Sequence, residues 1–390
     1  MRVTHVITRL IVGGAQENTI SSVLGLARKP DLQIGLISGL STGPEGSLQS
    51  SFSSQPELLT ILPSLVRQIH PLHDFVARRQ LTKIFRRTQP DIVHTHSGKA
   101  GILGRLAAHR AKVPIIIHTI HGPSFGQFQN QFANTIFCAA EKRAAKVTTH
   151  FISVANAMTD QYLAAGIGRA EQYTRIFSGF ALQPFLDAPN DLQLRAKLGI
   201  APNDFVVGKI ARLFKLKGHD DLFAAAPTLV REIPQIKFLL VGDGLWRERF
   251  ENLARAMHLE NHFVFTGLVP PTEVFRYVGL MDALVHLSRR EGLPRALPQA
   301  LAAARPVVAY DCDGAREVCQ DGETGFLVSV GDQADLAQKL IRLARDHSLR
   351  VRLGRAGQKL VRENFSVQTM VDRIYELYLK LLQNGAAPRS

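Results

Sequence analysis

The chain has 390 residues, a net charge of +14 and 45% hydrophobic residues. That length predicts two domains, each with its own core, and the ordinary apolar content excludes a disordered chain. Cys138, Cys312 and Cys319 show no C-x-x-C spacing, which speaks against a disulfide framework or a thiolate metal site and for a reducing compartment.

The first residues, Met1-Arg2-Val3-Thr4-His5-Val6-Ile7, run directly into strand-like alternation without the apolar h-region of a signal peptide. No apolar run approaches the roughly 20 residues that span a bilayer. A cytoplasmic protein is expected, with peripheral attachment to the inner membrane face as an option. Strands are predicted at 3–8, 33–38, 91–95, 115–119 and 150–154, with helical patterns between them, for example at 16–26, 101–110 and 157–165. Such alternation reads as a parallel sheet covered by helices on both faces. Gly13-Gly14 after the first strand lets backbone approach a ligand and opens a helix N-terminus to an anion, although the pair also suits a plain tight turn.

Residues 73–88 form a basic amphipathic helix with Ala77, Leu81, Ile84 and Phe85 on one side and Arg78, Arg79, Lys83, Arg86 and Arg87 on the other. Phe75 and Val76 lie off the apolar stripe, near the basic side. Two readings stand: a solvated helix face, or a surface that lies on an anionic membrane. Aromatic residues are not interleaved as a nucleic-acid stacking platform requires. His94 and His96 flank a strand end but show no third ligand at metal-site spacing, so no metal site is expected. His118-Thr119-Ile120-His121-Gly122 closes the next strand, and His121 is the candidate hydrogen-bond partner or proton carrier. Residues 180–190, with Pro184, Pro189 and Asn190, read as a linker.

A second alternating series follows, with strands at 204–211, 237–241, 262–266, 283–287, 306–310 and a short one at 326–328. Helical patterns occupy 219–232, 245–257, 272–278, 297–304, 333–346, 348–363 and 367–382, before a loose end at 385–390. The expected division is 1–185, a linker and entry helix at 186–203, a second domain at 204–364, and a C-terminal helix with its tail at 365–390. Ligands of open α/β sheets sit beyond the carboxyl ends of the strands, so a cleft between the domains is the default site. Residues 1–185 carry 19 Lys+Arg against 9 Asp+Glu, and the remainder 28 against 24. The basic excess thus belongs to the N-terminal half, either as a solubility charge or as a surface for an anionic partner.

Arg212 and Lys217 lie on the strand-to-helix loop that opens the second domain, where a planar fork and a point charge suit a diphosphate. Gly242-Asp243-Gly244 and Thr266-Gly267-Leu268 end the next two strands, as plain turns or as the border of a nucleotide base. In Ser288-Arg289-Arg290-Glu291-Gly292-Leu293-Pro294 a carboxylate, Glu291, precedes a turn into a helix whose first N–H groups lack internal partners. A carboxylate beside such donors suits a ligand with both hydroxyls and phosphates, such as a nucleotide sugar.

Several ordered motifs together resemble the retaining GT-B glycosyltransferases of family 4 (glycosyl transferases group 1). They are Gly13-Gly14-Ala15-Gln16, residues 91–101, His118 to Gly122, Ile152-Ser153-Val154-Ala155, Ala211-Arg212-Leu213 with Lys217-Gly218-His219, residues 241–244, and residues 288–308. The resemblance covers most of the chain. It implies two Rossmann-like domains, acceptor-binding first and donor-binding second, with the last helix crossing back onto the first. It further implies transfer from a nucleotide-diphosphate sugar, with retention and without metal or other cofactor, to a lipid-linked or cell-envelope glycan hydroxyl. By motif, Arg212 and Lys217 neutralise the donor diphosphate and Glu291 faces the donor sugar. Gly292, Leu293 and Pro294 place backbone donors, Gly267 and Leu268 border the nucleotide, His121 contacts the donor sugar, and Gly13 and Gly14 lie on the acceptor side. The family's second motif glutamate, which holds the ribose hydroxyls, is Gln299 here, after Pro298. An amide oxygen replaces a carboxylate that accepts two bonds at once, so weaker ribose binding is expected. No carboxylate in these motifs stands as a nucleophile, so same-face attack assisted by the leaving phosphate is expected. A sugar-phosphate synthase with a small soluble acceptor and a non-catalytic nucleotide-sugar-binding module are the alternatives. A nicotinamide dehydrogenase is disfavoured because G-x-G-x-x-G is missing.

Overall fold

The computed structural model describes residues 1–41, 46–122, 124–126 and 130–385. It separates into two units, Met1–Phe180 with Val367–Ser390, and Ala181–Ser366. In the first unit seven parallel strands form one sheet in the order β3-β2-β1-β4-β5-β6-β7. They are β1 (Arg2–Ile7), β2 (Gln33–Ser38), β3 (Leu59–Ile61), β4 (Ile92–His96), β5 (Ile115–Ile120), β6 (His150–Ser153) and β7 (Tyr173–Arg175). Every residue of β4 and β5 is buried, as central strands covered on both faces require. Helices α1 (Gly14–Leu26), α2 (Pro71–Thr88), α3 (Gly98–Arg110), α4 (Gln131–Ala145) and α5 (Asn156–Ala164) fill the crossovers. Ala77, Leu81 and Phe85 of α2 and Ala100 and Ala107 of α3 pack on Val6, Ile37, Val93 and Ile116 of the sheet. The predicted stripe of α2 is therefore its buried face.

The second unit begins with α6 (Gln183–Leu186) and α7 (Leu192–Lys197). Its six parallel strands run in the order β10-β9-β8-β11-β12-β13, with β8 (Phe205–Ile210), β9 (Ile236–Val241), β10 (Phe263–Gly267), β11 (Ala283–His286), β12 (Val307–Tyr310) and β13 (Gly325–Val328). Between and after them lie α8 (His219–Glu232), α9 (Arg247–Ala256), α10 (Val274–Gly279), α11 (Ala296–Ala302), α12 (Gln333–Arg345) and α13 (His347–Asn364). Its core stacks Phe223 on Phe263 at 4.0 Å and encloses Leu222, Leu229, Leu240, Val285, Val308, Leu336 and Leu353.

The last helix, α14 (Val367–Gly385), belongs to the first unit. Met370, Val371, Ile374, Leu377 and Tyr378 pack on Val3, Ile92, Ile115, Ile117 and Ile152, the sheet face opposite α2 and α3. The tail expected to be loose lies, for 386–390, outside the described residues. Among the described residues no helix is long and apolar enough to cross a membrane.

Two expectations need correction. The first boundary falls between Phe180 and Ala181 rather than after residue 185. Residues 186–203, expected as a linker and entry helix, do carry the helix α7 but are part of the second unit, because buried Arg195 donates to the carbonyls of Leu280, Ala201 and Asp204 at 3.3, 2.9 and 2.9 Å. In each sheet the strand order reverses beside the first strand, at β1/β4 and at β8/β11. Loops beyond the carboxyl ends at such a point form the usual ligand crevice of a doubly wound sheet.

Candidate active site

In the first unit the loops after β1, β4 and β5 enclose a cavity of about 290 Å³. Ala15, Ser97, Gly98, Thr119, His121 and Ser124 are among its lining residues. Gly13 and Gly14 lie directly before Ala15. Gly13 has φ 170°, an extended conformation open to any residue, and a Cβ on Gly14 would have nothing within 4 Å. Neither glycine is required by its backbone angles; a Cβ on Gly13 would lie 2.7 Å from the Gln16 side-chain oxygen, and the open space is at Gly14. Beneath it, Ser124 Oγ donates to Glu141 Oε1 at 3.0 Å, and buried Arg105 holds Glu141 Oε2 at 2.5 Å.

His121 Nε2 bonds His96 Nδ1 at 3.0 Å. Behind His96 lie further buried imidazoles. His96 Nε2 meets His5 Nδ1 at 2.8 Å, and His5 Nε2 meets the Tyr378 hydroxyl at 3.1 Å. The same hydroxyl meets His94 Nδ1 at 2.5 Å, and His94 Nε2 meets Thr119 Oγ1 at 2.6 Å. His94 and His96 therefore do have a third histidine beside them, and the ligand-capable atoms of His5, His94 and His96 lie within 4.8 Å of one another. All six ring nitrogens of these three residues already have hydrogen-bond partners in the protein. Burial lowers His5 to about 3 and His121 to about 4. Burial and then the neighbouring histidines hold His94 and His96 well below the ordinary value. At neutral pH the group is uncharged. His118 turns to the opposite sheet face, where Nδ1 meets Thr95 Oγ1 at 2.9 Å.

In the second unit the loop after β8 carries Arg212 and Lys217, and the loop after β11 carries Glu291. Leu216, a non-glycine residue at φ 71°, aims its carbonyl at Arg289 N (2.9 Å) and Ser288 Oγ (3.4 Å). This left-handed turn ties the two loops together and brings Lys217 Nζ to Glu291 Oε1 at 2.5 Å. Glu291 N donates to Asp313 Oδ2 at 2.7 Å, and Gly314 N to Gly292 O at 3.2 Å, which fixes the following segment. Burial pushes the Glu291 carboxyl up, but Lys217, then His286 and Ser288, outweigh it and hold the group below the usual range. Arg212 is exposed, with its guanidinium 5.9 Å from the Phe214 ring centre.

Gly242 and Gly244 at the end of β9 have φ of 136° and 159°, and a Cβ on either would fall within 2.3–2.5 Å of the Ala211 or Leu213 carbonyl. That turn buttresses the Arg212 loop. Gly267 has φ 73° and Leu268 is exposed. Leu293 and Gln299 are half-buried and Pro294 is buried, Gln299 within α11.

Sequence reasoning missed the charged floor of this site. Lys209, on β8 and 2% exposed, is lowered to about 7 by burial and then by Lys217, against the pull of Asp221 and Glu291. His286 Nε2 is buried without a hydrogen-bond partner among the described residues, 3.7 Å from Glu291 Oε1. Both oxygens of Asp221 accept from Arg289 at 3.0 Å, and Oδ1 also accepts from Gln333 Nε2 at 3.4 Å. Lys209 and His286 read as ordinary strand positions, and only a charged residue inside an apolar run could have marked them.

Two doubly wound parallel sheets, each with polar loops beyond the carboxyl ends at its switch point, define the GT-B class of fold. Residues 42–179 match the family model described as Glycosyltransferase Family 4, and residues 190–360 match Glycosyl transferases group 1. The chain is 30% identical over 312 residues to EpsD of Bacillus subtilis (strain 168), covering 78% of this chain and 81% of that protein. It is 29% identical over 327 residues to the Escherichia coli UDP-Gal:alpha-D-GlcNAc-diphosphoundecaprenol alpha-1,3-galactosyltransferase, covering 83% of this chain and 84% of that one. The crystal structure of Anabaena Alr3699/HepE with UDP superposes at a TM-score of 0.82 with 23% identity, over 97% of this chain and 100% of that one. The chain belongs to the family 4, group 1 glycosyltransferases and is itself a glycosyltransferase.

Proposed function

We propose that the enzyme moves a sugar from a nucleotide-diphosphate sugar, with retention and without a metal, to a hydroxyl of a lipid-linked or cell-envelope glycan. The observation that carries the donor assignment is the Lys217–Glu291 pair at 2.5 Å, set beyond β8 and β11 with Arg212 on the same loop as Lys217. In this reading a donor diphosphate draws Lys217 from Glu291, and Arg212 adds a second positive group. Both stabilise the charge that grows on the leaving phosphate. Glu291, released and ionised, accepts hydrogen bonds from sugar hydroxyls. Gln299 takes the ribose, and the Gly267–Leu268 segment borders the base. The cavity of the first unit, with His121, receives the reacting sugar and acceptor.

The name of the Escherichia coli relative, which acts on a diphosphoundecaprenol-linked sugar, supports the lipid-linked acceptor. So does α2, whose Leu72, Phe75 and Val76 are exposed beside Arg78 and Arg79. The test is transfer from UDP-hexoses by purified protein, with polyprenyl-diphosphate sugars in vesicles against small soluble hydroxyl acceptors. An α-linked product from an α-linked donor, formed equally in EDTA, is expected. A β-linked product overturns retention, loss in EDTA overturns metal independence, and transfer only to soluble acceptors overturns the lipid assignment.

A further inference from the structure

The buried histidines behind the cavity form one unbranched chain, His121–His96–His5–Tyr378–His94–Thr119. Each link is a single hydrogen bond between atoms that either donate or accept. A neutral imidazole has one N–H, so a ring that accepts at one nitrogen donates at the other. A hydroxyl between two rings likewise accepts from one and donates to the next. The direction of any one link therefore fixes the direction of all of them.

Thr119 fixes that direction. Its hydroxyl is buried, and among the described residues its partner is His94 Nε2. Thr119 also lines the cavity, but His94 Nε2 is the acceptor that the protein itself offers its proton. A buried hydroxyl proton without an acceptor costs more than an unused lone pair, so Thr119 is taken as the donor to His94 Nε2. His94 then carries its proton on Nδ1 and gives it to the Tyr378 oxygen. Tyr378 donates to His5 Nε2, His5 Nδ1–H to His96 Nε2, and His96 Nδ1–H to His121 Nε2. The chain ends at His121 Nδ1, which must carry a hydrogen.

We propose that this chain locks His121 in the Nδ1–H tautomer, so that it offers a neutral hydrogen-bond donor to the ligand in the cavity, and that Tyr378 is a positioning residue acting through His5 and His96. The proposal rests on the reading of His121 as a sugar-contacting residue. It adds which atom makes the contact, in which protonation state, and that a residue on α14 sets it. A donor suits a sugar or phosphate oxygen, whereas a bare Nδ1 lone pair could only accept from a sugar hydroxyl and would repel a phosphate oxygen. The uncharged state of the chain, enforced by burial, is what allows the tautomers to be coupled at all.

Long-range proton–nitrogen NMR of the uniformly 15N-labelled full chain reads the tautomers directly. The expected result is Nδ1–H for His121, His96, His5 and His94 alike. An Nε2–H signal from any of the four overturns the assignment, and this needs no variant. In Tyr378→Phe the chain is cut, and His121 is expected to become a mixture of both tautomers; an unchanged His121 spectrum overturns the role of Tyr378. The same variant should lower kcat by about five- to tenfold, the worth of one neutral hydrogen bond, with KM for the nucleotide sugar unchanged. A wild-type enzyme with the four Nδ1–H signals but without transfer would refute the functional reading and leave the chain intact. Stoichiometric zinc in the purified protein, shifting the His5, His94 and His96 signals on chelation, would make the cluster a metal site and overturn the proposal.

Discussion

Lys217 is a cation already in use, and that shapes what single substitutions should do. Glu291 holds it at 2.5 Å, so a diphosphate has to displace a carboxylate to reach it. Glu291→Gln removes the competitor and, on the proposed function, the sugar contact together. Calorimetry should find UDP affinity equal or higher while turnover falls; weaker UDP binding would show that Glu291 organises Lys217 instead. Arg212 is exposed and is not spent on packing. Arg212→Ala should cost about 10²–10³ in kcat with an unchanged melting temperature, and near-normal turnover would end its assignment to the diphosphate. Gln299→Glu restores a carboxylate where the family carries one. It should tighten nucleotide binding by about tenfold, and an unchanged dissociation constant would show that residue 299 does not hold the ribose.

At the scale of elements, loop shape matters as much as side chains. Gly218 starts α8 at φ 67°, and a Cβ there would lie 2.0 Å from the Leu287 carbonyl. Gly218→Ala should cost at least about 2 kcal/mol in urea unfolding and spread the Lys217 and Glu291 loops apart. Gly14→Ala, with open space around it, should leave stability unchanged, so any loss of activity reports on ligand room. Helix α2 hides Ala77, Leu81 and Phe85 and presents basic residues with exposed Phe75, its ring 5.6 Å from the Arg79 guanidinium. Reversing Arg79, Lys83 and Arg86 together should abolish co-sedimentation with anionic vesicles, and retained binding would assign α2 to a solvated face. Most elements were legible because buried parallel strands are continuous apolar runs with clear turns between them. The missed strands, β3 and β7, are three-residue pieces at the two ends of a sheet, Leu59-Thr60-Ile61 and Tyr173-Thr174-Arg175, too short for a pattern. His5 was missed for a different reason. It sits at an ordinary alternating position of β1, and only the register that sets it opposite His94 reveals the cluster.

For the whole molecule the buried imidazoles predict acid sensitivity. His5, His94, His96, His118 and His121 of the first unit and His286 of the second are lowered in the folded state, chiefly by burial. The unfolded chain binds protons near pH 6.5, whereas the folded one binds them at these sites only far lower. Their contribution is therefore complete above pH 6.5 and is lost as pH falls towards about 4, by up to about 1.4 kcal/mol per unit for each histidine. Melting temperature should fall steeply from pH 6.5 to 5 and stay nearly level from 6.5 to 7.5; a level profile across both ranges would refute the buried neutral cluster. The placement of α14 also has a consequence for the order of assembly. The first unit is interrupted after Phe180 and completed by the segment starting at Val367. During synthesis at about 5–20 residues per second, the 186 residues of the second unit emerge before the helix that covers Val3, Ile92 and Ile115 exists. The second unit, continuous in the chain, can close while the first still shows an uncovered sheet face. The N-terminal half is thus translated first and finished last, and any chaperone dependence of this enzyme should concentrate on that waiting surface.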